Sequence, residues 1–211
     1  GQGVLHAVAG SPGHNAGLVR STACTGDRCR PRLAWDPPEI WCLVDLAGAK
    51  VLVVAAHPDD ETLGCGGTLA YARRRGAACK VILPLRRGDP RGVRHWPSII
   101  GHFAQACEIL GAEPLVPADV VVDLWADTQI EQIRALVEPA VDWADIVLAH
   151  HPGDVHQAHR AVARAVEITT RPFRRRRQVA LFEVASSTDQ GFQYTFAPNL
   201  FVSLEERDVE A

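Results

Sequence analysis

Two short stretches of this sequence are crowded with side chains that bind metals and move protons. The first is His57-Pro58-Asp59-Asp60-Glu61; the second is His150-His151-Pro152-Gly153-Asp154-Val155-His156-Gln157-Ala158-His159. Adjacent carboxylates that follow a His at the end of an apolar run are costly unless a cation neutralises them. His57 and Asp60 stand three apart in a tight turn, so both can reach one ion, while Asp59 points elsewhere and stays free as a base. A plainer reading, an acidic helix N-terminus, accounts for Asp60 and Glu61 but not for His57 or the second Asp. In the second stretch His156 and His159 are spaced i, i+3 at a helix start, which puts two imidazoles on one face. Together, His57, Asp60 and His159 supply two imidazoles and one carboxylate with a fourth position open, the donor set of a catalytic zinc site. Such an ion acidifies a water and polarises a carbonyl. The expected cofactor is one Zn2+ per chain, with another divalent metal as the alternative.

These residues need elements that hold them. Residues 51–56, VLVVAA, are a continuous apolar run rich in β-branched side chains, as suits a parallel strand buried on both faces. GCGGTLAYARRRG follows as a helix with a basic last turn and a stop at Gly76. CKVILPL, residues 79–85, completes a βαβ unit. Residues 86–98 read as a basic loop broken by Pro and Gly. Helices are expected over 99–111, 127–141 and about 156–170, and strands within 113–122, at 144–150, at 178–184 and within 196–202. This alternation predicts an open three-layer α/β sandwich with a mostly parallel sheet. In such sheets ligands bind beyond the carboxyl ends of the strands, where both stretches lie. GCGGTLA is not a dinucleotide fingerprint, because Leu69 stands where a third Gly is needed and no acidic residue ends the second strand. Its glycines read as letting the helix pack close to the metal loop. Residues 1–48 show no clear period and are taken as an irregular segment before a domain over 49–211.

The composition excludes several partners. The chain has 211 residues, 47% of them hydrophobic, and a net charge of −3, which suits one soluble domain and offers no electrostatic case for nucleic acid. No apolar run approaches the roughly 18 residues of a membrane span. No basic start followed by an apolar block marks a signal peptide, so a cytoplasmic location is expected. Nine His against no Met already invite a search for a metal site. The six Cys read as free thiols, and Arg174 to Arg177 as a solvated loop.

VLVVAAHPDDETLGCGGTLA resembles the opening motif of the LmbE-like, or PIG-L-type, N-deacetylases. DVHQAHRAV resembles their second motif, and residues 182–202 their C-terminal portion, so the likeness runs from about residue 50 to 202. The resemblance implies a Rossmann-like fold and zinc-dependent hydrolysis of an acetamido group on an N-acetylglucosamine conjugate, releasing acetate and a free amine. It implies His57, Asp60 and His159 as zinc ligands, Asp59 as the general base, and His156 as the second active-site His, which steadies the oxyanion or protonates the leaving amine. The expected partner is a small-molecule amino-sugar conjugate, and the family also admits homo-oligomers. Ala158 departs from the family pattern, which has Asp between the two His; Asp154 is a candidate replacement. The residues after the second strand also depart from it. These departures keep two alternatives open: an amidase on a related amino-sugar amide, and a member that binds metal or saccharide without turnover.

Overall fold

The computed structural model describes residues 5–6, 46–171, 177–192 and 196–209. The elements run β1 (Leu5–His6), β2 (Lys50–Val54), α1 (Asp60–Arg74), β3 (Ala78–Ile82), β4 (Leu85–Arg86), α2 (Pro90–Leu110), β5 (Ala112–Leu115) and β6 (Val121–Val122). After a 3-10 turn at Asp123–Thr128 come α3 (Ile130–Trp143), β7 (Ile146–His150), α4 (Gln157–Thr169), β8 (Gln178–Phe182), β9 (Leu200–Phe201) and α5 (Glu206–Val209). The main sheet has the order β5-β3-β2-β7-β8, and every pairing in it is parallel.

The apolar run after Lys50 becomes the central strand because both of its faces are covered. Val51, Val53 and Ala55 join the buried cluster that contains Leu69 of α1 and Phe103 of α2. Leu52, Val54 and Ala56 join the opposite cluster, with Val137 of α3 and Val162 of α4. This is the three-layer α/β sandwich that the alternation of elements predicts. From β2 the chain winds outward through β3 to β5, then returns to β7 on the other side of β2. The order therefore reverses between β2 and β7, the position where open α/β sheets form their ligand crevice.

Three local expectations are corrected. Residues 86–98 are not a loop: α2 begins at Pro90, nine residues before the expected helix start. Asp89 is its N-cap, accepting from Arg91 N–H and Gly92 N–H at 3.0 and 2.9 Å, and Pro90 sits in the first turn, where the missing N–H costs nothing. The expected strand within 113–122 is two strands in two sheets, β5 and β6, with β6 pairing with β4. The 127–141 helix begins later, at Ile130, behind the 3-10 turn.

The close packing that the glycines of α1 permit is not against the metal loop: a Cβ on Gly64 would strike the Phe182 ring at the end of β8, and one on Gly67 would strike Leu204. Within the N-terminal segment, Leu5–His6 pair in parallel with Leu200–Phe201. The rest of that segment up to residue 45, with Cys24, Cys29 and Cys42, lies outside the described residues, as do Arg174, Arg175, Arg176 and Tyr194. Cys65, Cys79 and Cys107 are buried free thiols. Among the described residues, no helix is long and apolar enough to cross a membrane.

Candidate metal centre and active site

Both stretches leave the carboxyl ends of neighbouring strands, β2 and β7, and meet over the crevice between them. The two His and one Asp singled out above come together as a compact triangle. His57 Nδ1 lies 3.3 Å from His159 Nε2, Asp60 Oδ2 lies 3.6 Å from His57 Nδ1, and Asp60 Oδ2 lies 3.4 Å from His159 Nε2. Tetrahedral ligands at about 2.0–2.1 Å from an ion are separated by about 3.3–3.4 Å, so these three atoms fit around one divalent cation without rearrangement. Two ring nitrogens and a carboxylate oxygen this close share either a proton or a metal ion between them. Burial works against charge on Asp60, yet His150, His159 and His57 around it hold it ionised well below the usual carboxylate range. Burial also opposes protonation of His57, but Asp123 and Asp60 outweigh it and push the ring up to about 9.

Each candidate ligand is braced from behind. Asp60 Oδ2 accepts the His57 N–H at 2.8 Å. The His159 Nδ1 side faces Asp154 Oδ2 at 3.0 Å, which directs the Nε2 lone pair into the triangle. Asp154 is almost fully buried. Its Oδ2 also accepts from Ser187 Oγ at 2.9 Å and Thr188 Oγ1 at 2.8 Å, and its Oδ1 from His156 N–H at 2.7 Å. These donors, despite the burial, hold its carboxyl below the usual range. Behind His57, Asp123 Oδ2 stands 3.5 Å from Nε2, and Gly88 N–H fixes Asp123 Oδ1 at 2.8 Å.

Asp59 and His156 flank the triangle. Asp59 is the N-cap residue of α1, yet its side chain makes no cap hydrogen bond; the carboxylate instead lines the cavity above the triangle. Asp59 is exposed as a residue, but partial desolvation of its carboxyl and the Asp60 charge raise its pKa, which favours proton uptake. His156 caps α4, its Nδ1 accepting the Ala158 N–H at 3.2 Å. Burial and the neighbouring rings of His57 and His159 lower its pKa, so the neutral ring carries its hydrogen on Nε2. The cavity measures about 380 Å3, a volume in the range of small-ligand sites, and is also lined by Arg87, Ile99, Asp123, Ser186 and Ser187.

The sequence reading missed Asp123, which reaches the site from a turn more than 60 positions away from His57. It also left His150 and His151 undecided. His150 ends β7 fully buried, accepts the Ala56 N–H at 3.0 Å and lies 3.2 Å from Asp60 Oδ2. Two further donor groups overlap the triangle, a deeper one of Asp60, His150 and His159 and a more exposed one of His57, His156 and His159. His151 braces its own loop, accepting from Gly153 N–H at 3.1 Å, with its ring against Phe196.

Residues 52–169 match the GlcNAc-PI de-N-acetylase (PIG-L) family, a span that includes both loops and more than half of the chain. The chain belongs to the PIG-L family. This membership places it among deacetylases. The uncharacterized deacetylase YaiS of Escherichia coli is 27% identical over 74% of this chain and 82% of its own length. A 1D-myo-inositol 2-acetamido-2-deoxy-alpha-D-glucopyranoside deacetylase of Corynebacterium glutamicum is 55% identical over 38 residues, which span 18% of this chain and 13% of that protein. Among solved structures, the N,N'-diacetylchitobiose deacetylase of Pyrococcus horikoshii shares the fold, with a TM-score of 0.53 at 16% identity over 74% of this chain and 64% of that one.

Proposed function

We propose that this PIG-L-family chain is a zinc-dependent hydrolase that removes the acetyl group from an N-acetylglucosamine-type conjugate. In this reading His57, Asp60 and His159 hold the ion, Asp59 is the general base and His156 is the hydrogen-bond donor. The observation that carries it is the Asp59 carboxylate. It sits at a helix N-cap, makes no cap bond and lines the cavity beside three donor atoms spaced for one cation. An acidic helix cap with no further role would use that side chain on the helix.

Zinc, when bound, supplies a more acidic water and a polarised acetyl carbonyl. The chain supplies the rest. Asp59 takes the proton of the attacking water. His156 Nε2–H donates a hydrogen bond to the oxygen that gains charge, and the proton taken up by Asp59 is the one the departing amine receives. Asp154 and Asp123 keep the His159 and His57 rings turned toward the ion. Arg87, Ile99 and Ser186 line the same cavity and are the side chains a sugar seated there would meet. Relatives that act on an acetylated glucosaminyl inositol and on diacetylchitobiose support the substrate class.

The test is metal analysis paired with acetate release from the glucosaminyl inositol and from N,N'-diacetylchitobiose. One zinc per chain with acetate released supports the reading. One zinc per chain with no acetate from either conjugate favours a member that binds without turnover.

A further inference from the structure

We propose that Glu61 is a positioning residue: its buried carboxylate latches the backbone of Asp59 in a conformation that aims the Asp59 side chain into the cavity. The inference rests on the reading of Asp59 as the base.

Asp59 has φ 156° and ψ −24°, and among the described residues it is the one non-glycine with positive φ. An L residue holds such a backbone only where its surroundings impose it, and such residues gather at functional sites. On the carbonyl side, Asp59 O accepts from Thr62 N–H at 3.0 Å and Leu63 N–H at 2.9 Å. On the amide side, the Asp59 N–H is shared between His57 O at 3.1 Å and Glu61 Oε2 at 3.1 Å.

Glu61 is 1% exposed. Its second oxygen accepts from Thr62 Oγ1 at 2.9 Å. Burying a carboxylate is expensive, so an acid that packing alone required would be better replaced by an apolar side chain of the same length. Glu61 stands at the second helical position, one short of the acid of a capping box, yet it makes that motif's bond back to the N-cap N–H. The motif's other half, a bond from the N-cap side chain to the helix, is missing here. The helix start keeps the bond that fixes the Asp59 backbone and forgoes the one that would occupy its carboxylate. Glu61 can do this because it belongs to α1, whose own hydrogen bonds fix its position relative to the turn.

The test compares zinc-loaded, full-length Glu61→Met, which keeps length and loses the acceptor, with Glu61→Gln, which keeps an acceptor oxygen. Acetate release from the glucosaminyl inositol, zinc content and the crystal structure of each variant are measured. Glu61→Met is expected to lose at least tenfold in kcat with KM within twofold and zinc content unchanged, and its Asp59 φ moves to a negative value. Glu61→Gln restores kcat to within fivefold and keeps the positive φ. If Glu61→Met does not fold, Glu61→Asp takes its place, because its shorter side chain keeps the charge but does not reach the Asp59 amide. An Asp59 φ that stays positive without the acceptor, or equal damage from Gln and Met, overturns the latch. Asp59→Asn run in parallel separates the two ideas. If it still turns over, the base reading itself fails; if it is dead while Glu61→Met matches the wild type, only the latch fails.

Discussion

Asp154 is the carboxylate that stands behind His159. Where the family pattern has Asp between the two His, this chain has Ala158, a fully buried apolar residue packed in the cluster of α3 and α4. The carboxylate that faces His159 Nδ1 is Asp154, five positions earlier and in the loop before α4. Asp154→Ala is therefore expected to weaken zinc binding by about 10–100-fold, the usual effect of losing a carboxylate behind a ligating His, as read by competition with a chelator. Retention of wild-type affinity would show that Asp154 only shapes the loop. The ligand and base candidates were legible in the sequence because each lies in a contiguous block of types that chemistry needs together. Asp123 and the Ser187 and Thr188 hydroxyls were not, because they are ordinary residue types that reach the site only through the tertiary fold.

At the scale of elements, α1 presents the first loop, and its glycines set how near it lies to the sheet. A Cβ on Gly64 meets Phe182 and the Glu183 carbonyl, whereas one on Gly66 finds only an ordinary contact at 3.6 Å. Gly64→Ala should thus destabilise the protein by about 1–3 kcal/mol through overpacking. Gly66→Ala should be neutral or stabilising, by up to ~1 kcal/mol from helix propensity. Denaturant unfolding of the pair checks this, and equal effects would contradict it. The same scale explains why α2 was misread. Its first turns, with Pro90, Gly92 and Pro97 among basic residues, have the composition of a loop. The decisive signal was two residues long: an Asp N-cap followed by Pro at the first helical position, a pattern that outweighs breaker content at a helix start. Strand β2 was legible because burial on both faces leaves an unbroken apolar run.

Across the whole molecule, chain ends and sheet topology have separate roles. The C-terminal helix α5 is tied to α1 by Arg74 and Asp208, with Nε–Oδ1 at 2.9 Å and Nη2–Oδ2 at 2.8 Å. The Arg74 partner, against the cost of burial, lowers the pKa of Asp208. A carboxyl whose folded pKa is depressed stabilises the fold above its unfolded value, about 3.9, and loses that contribution as pH falls through the folded value. Wild type should therefore exceed Asp208→Asn in urea-unfolding stability at pH 7, and the gap should narrow as pH falls below about 4; a gap independent of pH would contradict the pairing. The active site depends on the sheet as a whole, because only the reversal of strand order between β2 and β7 brings the two motif loops together. That convergence sets Asp59 beside the three candidate ligands, and Asp59→Asn, assayed for zinc content and acetate release, separates a base from a ligand. One zinc per chain, as in wild type, is expected, with acetate release reduced by about 10²–10⁴-fold, the usual contribution of a general base. A variant that keeps most of its turnover, or that loses its zinc along with its activity, would contradict the assignment of Asp59 as a base standing apart from the metal ligands.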